Sequence, residues 1–296
     1  MSAFLNFDPL DSIPPAFQNF NPSDAEKEIV KFIRKSVKKS GASGVVLGLS
    51  GGIDSALVAA LSAKALGTKK VYPIFFLGSD SECDAEFDSE DLNDAVKLAE
   101  QFGLSLQKID LSSVFSAAKS SFSIPRLEYS ASSLFWEFGE TPITSGNLKS
   151  RLRMALLYYY ANRNNLLVIG TKNKTERFTG YFTKYGDGGV DIDPIANLYK
   201  TEVRLLSKHL NLPDSIQKKP PSAGFWRGQS DEDDLGIRYD QLDALLLFFE
   251  TEHVSIRSKK LKKLSRELHL SEKQCESVFI RMIAAQHKQK MPAMPE

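Results

Sequence analysis

Cysteine is nearly missing from this 296-residue chain: Cys83 and Cys275 are the only two, and no Cys-x-x-Cys pair occurs. That excludes a disulfide framework and a cysteine-built zinc site, and it fits a reducing compartment, the cytoplasm. Long apolar runs are lacking as well. "ALLLFF" at 244–249 is among the longest, far short of the roughly 20 residues a membrane-spanning helix needs. The N-terminus, "MSAFLNFDPLDSIPPAFQ", has no basic residue ahead of an apolar segment, and its acidic and proline residues rule out a secretory signal. Charge of one sign is not in excess either: 38 Lys and Arg stand against 37 Asp and Glu, a formal net of +1. No broad electrostatic footprint for nucleic acid or an anionic membrane follows from such a balance. Two common nucleotide-binding fingerprints are also absent, Gly-x-x-x-x-Gly-Lys-Ser/Thr and Gly-x-Gly-x-x-Gly.

What is present is an alternation. Ser23 and Glu26 form a capping-box pattern that opens a helix carrying Ile29, Ile33 and Val37. "GVVLGL" (44–49) reads as a buried parallel strand, and Ile53 to Leu66 as a helix. "VYPIFFL" (71–77) is a second strand despite Pro73, and 88–102 a helix. "SLQKIDL" (105–111) is a third strand, 148–162 a helix, and "NLLVIGT" (165–171) a fourth strand. Strands alternating with helices predict an α/β fold, a doubly wound and mostly parallel sheet flanked by helices. Residues 172–236 are rich in Gly, Pro, Lys and Asp and read as a long functional loop region. Helices return over 239–249 and 258–288, the last opened by Ser271 and Gln274. The expectation is one domain over 1–296, with 1–22 an N-terminal extension and 289–296 a flexible tail.

The most informative stretch is "VVLGLSGGIDSALVAALSAKALG" (45–67). A glycine-rich turn between a buried strand and a helix start offers backbone N–H groups and partial positive charge to an anion. Ser50 and Ser55 would add hydroxyl donors. Asp54 would repel a polyphosphate unless a cation stood between them, which points to Mg²⁺. The plainer reading is a turn in which Ser50 caps the helix and Asp54 favours its dipole. Gly170-Thr171 ends the fourth strand, expected beside the first at the switch point where ligands bind. Glu176 follows, so it can approach Asp54 and complete a two-carboxylate Mg²⁺ site; a surface glutamate is the alternative.

Ser50-Gly51-Gly52-Ile53-Asp54-Ser55 resembles the pyrophosphate-binding loop of the ATP pyrophosphatase superfamily. "GYFTKYGDGGVDIDPIANLYKTEV" and "KPPSAGFWRGQSDEDDLGIRYDQLDALL" (219–246) make the chain similar to the NAD synthetases over about 29–288. The resemblance implies a Rossmann-like adenine-nucleotide α-hydrolase fold, a homodimer, and ammonia-dependent amidation of deamido-NAD to NAD. ATP would be cleaved to AMP and pyrophosphate through an adenylated intermediate. It also implies ATP on Gly48, Leu49, Ser50, Gly51, Gly52, Ile53, Asp54 and Ser55, with Thr171, Lys200 and Ser222. Mg²⁺ falls to Asp54 and Glu176, and deamido-NAD to Arg151, Lys184, Asp191, His287 and Lys288, with its site at the dimer interface. Phe75 to Asp80 would wall the adenine pocket.

Neither chemical step needs a protein nucleophile; the need is to bring polyanions together and stabilise phosphoryl charge, a task for Lys200, Lys184 and Arg151. The resemblance and its loop position make Asp187, in "YGDGGVD", the candidate for binding and deprotonating ammonium; a simple Asp-Gly turn is its alternative. "DEDD" (231–234) and "KKLKK" (259–263) read as solvated helix positions, and His209 as structural. Glutamine-using NAD synthetases carry an amidase domain ahead of the synthetase, and the 49 residues before Ser50 contain no cysteine, so free ammonia is the expected direct donor unless a separate subunit delivers it. Two other readings remain at this point: another adenylating ligase, GMP-synthetase-like or tRNA-modifying, and a non-catalytic nucleotide-binding module.

Overall fold

A computed structural model describes residues 14–78, 82–121, 141–222, 224, 228–252, 258–292 and 294–295, with backbone alone over 82–88. Its first half runs α1 (Pro22–Ser40), β1 (Gly44–Gly48), α2 (Ile53–Leu66), β2 (Val71–Leu77), α3 (Glu82–Gln101), β3 (Gln107–Asp110) and α4 (Ser112–Ser121). Then come α5 (Pro142–Asn164), β4 (Leu166–Val168), α6 (Lys174–Thr179), α7 (Lys200–His209) and α8 (Asp214–Lys218). The remainder is α9 (Asp231–Leu235), α10 (Tyr239–Glu252), α11 (Lys259–Glu267) and α12 (Glu272–Ala285).

The four strands form one sheet in the order β3-β2-β1-β4, all paired in parallel. Side chains of β1 alternate between its faces, as a parallel strand covered on both sides requires. Val45 and Leu47 enter a core with α1, α2 and α7, through Ile33, Leu57, Leu61 and Leu206. Val46 enters the opposite layer, where Ile74, Phe76 and Val168 meet Ala161 of α5. α2 is buried nearly all round, which explains its run of Ala and Leu without a polar stripe. A third cluster joins α10, α11 and α12 around Leu242, Leu245, Phe249 and Val278.

Pro73 sits in the middle of β2, opposite Leu47. Leu49 N–H donates to the Ile74 carbonyl, so Ile74 faces β1 and Pro73 faces the β3 side. Pairing with β3 begins only at Ile74↔Gln107. The missing proline donor therefore costs no ladder bond.

Three expectations need correction. Asn21, not Ser23, caps α1: its side chain accepts from the N–H groups of Ser23 and Asp24. Residues 172–236 hold four short helices, α6 to α9, too brief to show a helical period. "DEDD" is not wholly solvated, because Asp231 is buried. The "KKLKK" reading holds: Leu261 is buried while Lys260, Lys262 and Lys263 pair at the surface with Glu252, Glu272 and Glu267. His209 meets Glu26 at 3.1 Å, and Ser271 and Gln274 make the expected capping box. Among the described residues no helix is long and apolar enough to cross a membrane.

Candidate active site

β1 connects to β2 on one side, and β4 lies on the other, so the loops leaving β1 and β4 diverge from one point. A crevice opens there. It is a cavity of about 830 Å³, within the range of small-molecule sites.

The loop after β1 is braced by its own serines. Ser55 Oγ accepts the Ser50 N–H at 3.1 Å and donates to the Gly52 carbonyl at 3.0 Å, while Ser50 Oγ accepts from Gly52 N–H at 3.3 Å. Gly51 has φ of +79°, and a Cβ there would lie 2.3 Å from the Asp91 carbonyl oxygen. Only glycine fits. No side chain caps α2 at Gly52, which leaves its first turn of N–H groups available to an anion. The plainer reading, Ser50 as helix cap, is thus not the geometry observed.

On the β4 side, Asn173 organises the acids. It is fully buried and caps α6: its Oδ1 accepts Glu176 N–H at 2.9 Å, and Glu176 Oε2 accepts Asn173 N–H at 3.2 Å. Its Nδ2 donates to Asp54 Oδ1 at 2.9 Å. One amide thereby ties together the two carboxylates predicted to hold Mg²⁺. Asn-x-x-Glu after a strand is itself a capping-box signature, a signal that could have identified Asn173. Glu176 is not a free surface group. Burial, then the nearby Asp54 charge, push its carboxyl well above the usual range, against the pull of Lys200.

Lys200 enters from the start of α7, 2% exposed. Its ammonium pairs with Asp54 and stands 3.8 Å from Glu176 Oε1. Burial lowers its pKa, but Asp54, Glu176 and Asp231 outweigh that and hold it above the ordinary lysine value. A buried Asp243 fixes this start of α7. It accepts from Thr175 Oγ1 at 2.5 Å and from Thr201 N–H and Oγ1, each at 2.7 Å, while Lys200 N–H donates to Thr175 Oγ1 at 3.0 Å. Burial raises the Asp243 carboxyl to about 6. Two carboxylates facing one cavity with a lysine ammonium between them suit a divalent cation shared with phosphate oxygens. Among the described residues no three acidic, His or Cys side chains converge as a complete metal cage, so substrate oxygens would have to complete the shell.

Gly48, Leu49, Ser50, Gly52, Ile53, Asp54, Ser55, Thr171, Glu176, Lys200 and Ser222 all line this cavity, as do Asp187 and Lys288. Phe75 and Phe76 line it too, whereas Ser79 and Asp80 lie outside the described residues. Asp187 is both in a turn and at the cavity. Its Oδ1 accepts from Thr183 N–H at 2.8 Å and Ser150 Oγ at 2.9 Å.

Arg151, Lys184 and His287 lie off the cavity wall but form a chain with Lys288. Arg151 Nε donates to the Lys184 carbonyl at 3.3 Å, and Lys184 Nζ to the His287 carbonyl at 2.7 Å. Lys288 Nζ donates to the carbonyls of Gly180 and Phe182, at 2.7 and 2.9 Å. Gly180 lets the C-terminal segment seat, since a Cβ there would meet the Ala285 Cβ at 2.7 Å. Gln289 Nε2 donates to the Arg177 carbonyl at 2.7 Å, so the segment 289–296 begins on an anchored residue. Asp191 stands apart, accepting from Val168 N–H at 2.7 Å and Tyr158 OH at 3.1 Å.

Among the cavity residues that the sequence does not single out, two carry charge close to the site. Lys172 reaches Asp193 Oδ2 at 2.6 Å and the Asp187 carbonyl at 3.4 Å. Asp231 is 3% exposed and accepts from Tyr239 OH at 2.8 Å.

A family model described as NAD synthase matches residues 25–292. An NH(3)-dependent NAD(+) synthetase of Methanosarcina acetivorans is 43% identical over 272 residues, 92% of this chain and 97% of that one. A Campylobacter jejuni NH3-dependent NAD synthetase structure aligns with a TM-score of 0.72 at 32% identity, covering 94% of this chain and all of that one. A Francisella tularensis structure described as NMN synthetase aligns with a TM-score of 0.75 at 31% identity, over 94% and 99% of the two chains.

Proposed function

The chain belongs to the NAD synthase family, and from that membership we propose how its residues carry out the reaction. It is an ATP-dependent ligase that amidates deamido-NAD with ammonia to give NAD, AMP and pyrophosphate. The nicotinate carboxylate attacks the α-phosphorus and expels pyrophosphate, leaving a mixed anhydride. Ammonia attacks the activated carbonyl, AMP departs, and one proton is lost. The observation that carries the assignment of residues is the convergence of Ser50, the Gly52–Ser55 turn with Asp54, Glu176 and Lys200 on one cavity, which Gly51 does not line.

In this reading the N–H groups that open α2, at Ile53, Asp54 and Ser55, cradle the departing diphosphate, since those of Ser50 and Gly52 are held by the loop's own serines, and the Thr171 and Ser222 hydroxyls line the same cavity. Asp54 and Glu176 would hold Mg²⁺, which supplies charge neutralisation for the polyphosphate. Lys200 stabilises the phosphoryl oxygens. Arg151, Lys184, Asp191, His287 and Lys288 bind deamido-NAD. The three cations donate to backbone carbonyls, and among the described residues none of them makes a salt bridge, although Asp187 acts on Lys288 through space; their charge is available to phosphates. Asp187 receives the ammonium ion and its proton. A homodimer is part of this reading, and Ile280 and Ile283 on α12 and Tyr159 on α5 are exposed apolar side chains that it would cover.

Purified protein with ATP, Mg²⁺, ammonium and deamido-NAD should form NAD and pyrophosphate in equal amounts. Release of ADP, or turnover independent of deamido-NAD, overturns the proposal. Because one structural relative is described as NMN synthetase, the mononucleotide acid is the second acceptor to assay, and the dinucleotide should have the higher kcat/KM.

A further inference from the structure

Asp231 is a buried carboxylate that the reaction as described does not use. Its Oδ2 accepts from Tyr239 OH at 2.8 Å, and its Oδ1 is buried with no hydrogen-bond partner. The one hydroxyl proton of Tyr181 goes elsewhere, to Asp234 Oδ2 at 2.7 Å. An orphaned buried acceptor is costly and calls for a reason. Asp231 shares the cavity with Asp54, Glu176 and Lys200. Tyr239 joins it to the lysine: the Lys200 ammonium lies 5.3 Å from the centre of the same ring whose hydroxyl holds Asp231.

One buried carboxylate and two part-buried ones therefore face one buried ammonium. In the present arrangement Lys200 sits on Asp54 and close to Glu176, the two side chains fitted to a metal ion. A divalent ion drawn to them would repel the ammonium, and a buried ammonium without a counter-charge is strongly disfavoured. Asp231 stands outside any three-carboxylate cage, yet it offers the free acceptor.

We propose that Asp231 is a positioning residue: it takes over the Lys200 ammonium when Asp54 and Glu176 turn to metal, and so aims that charge at the phosphoryl oxygens. This rests on the Mg²⁺–ATP site proposed above. The competing explanation is a structural staple, in which Asp231 merely links the start of α9 to Tyr239 at the start of α10.

Structures of the wild-type chain with a non-hydrolysable ATP analogue, with and without Mg²⁺, test it directly. With metal, Lys200 Nζ should leave Asp54 and come within hydrogen-bond distance of Asp231 Oδ1. Analogue and metal bound with Lys200 still on Asp54 overturns the inference and leaves the ATP site standing. No nucleotide in the cavity overturns both. Calorimetric titration of Mg²⁺ into the protein–analogue complex supplies a second readout. Asp231→Asn keeps the shape and the acceptor for Tyr239 OH, and should raise half-saturating Mg²⁺ by about tenfold, since Lys200 then stays on the metal's ligands. In a Lys200→Met background the same change should shift it less than about twofold, because coupled neighbours are non-additive. Equal shifts in both backgrounds, or none in either, overturn the proposal.

Discussion

Two groups of charged side chains lie a short way apart in this molecule and are built on opposite plans. At the switch point, Asp54, Glu176, Lys200 and Asp231 are largely buried, and Lys200 is set against carboxylates. Around the C-terminal segment, Arg151, Lys184 and Lys288 donate to main-chain carbonyls. The first plan makes every charge depend on its neighbours, because desolvated ions demand partners. The second fixes three cations in place on carbonyls rather than in salt bridges, with Asp187 acting on Lys288 through space. A dry, mutually compensated cluster suits charge rearrangement in a chemical step; a basic strap suits holding an anionic substrate.

The sharpest way to break this contrast is at Asp54. Asp54→Ala should lower the rate of pyrophosphate release by about a thousandfold, the scale of losing a preorganised electrostatic element, while the circular-dichroism spectrum stays unchanged. Undiminished release would remove Asp54 from the proposed metal site. Asp243 tests whether burial governs the supporting network. Its folded pKa of about 6 exceeds the unfolded value near 3.9. The folded state then binds the extra proton, so this group's stabilising contribution is full below pH ~4 and is lost as pH rises through ~6. Relative to Asp243→Asn, the wild type should lose on the order of 3 kcal/mol across that window in urea unfolding. A constant difference between the two proteins would contradict the assignment.

The basic strap should respond differently. Lys184→Ala should raise KM for deamido-NAD about tenfold, the equivalent of one charge-assisted contact, with KM for ATP and the unfolding midpoint nearly unchanged. An equal rise for ATP would erase the distinction between the two regions. The smallest effect belongs to exposed pairs with no part in either plan. Lys263 and Glu267 meet at 3.8 Å on the surface, and Lys263→Ala should alter stability by less than about 0.5 kcal/mol.

How far the site could be read from the sequence varied with local context. The Ser-Gly-Gly loop announced itself because strand, turn, glycines and helix start are contiguous. Glu176 could be inferred because a parallel strand order brings the β1 and β4 loops together. Asp231 is not legible in the sequence: its four-residue acidic run has the composition of a solvated helix start, and its burial, with Tyr239 OH on its carboxylate, is set by packing. Lys172 was passed over for a related reason. Its partner Asp193 lies 21 residues on, and it can approach because Gly170 carries no Cβ; one there would lie 2.7 Å from Asp193 Oδ1.

Sequence alone determined the alternation of strands and helices, the glycine turn and the chemical class, all of which are written in near-neighbour patterns and in motif spacing. Tertiary structure decided which charges are buried, which carboxylate meets which cation, and that one asparagine ties Asp54 to Glu176. Those outcomes follow from desolvation and from contacts over more than a hundred residues of chain, such as Asn173 with Asp54 at a separation of 119. No local pattern encodes them, because the energy of a charge depends on what surrounds it in space.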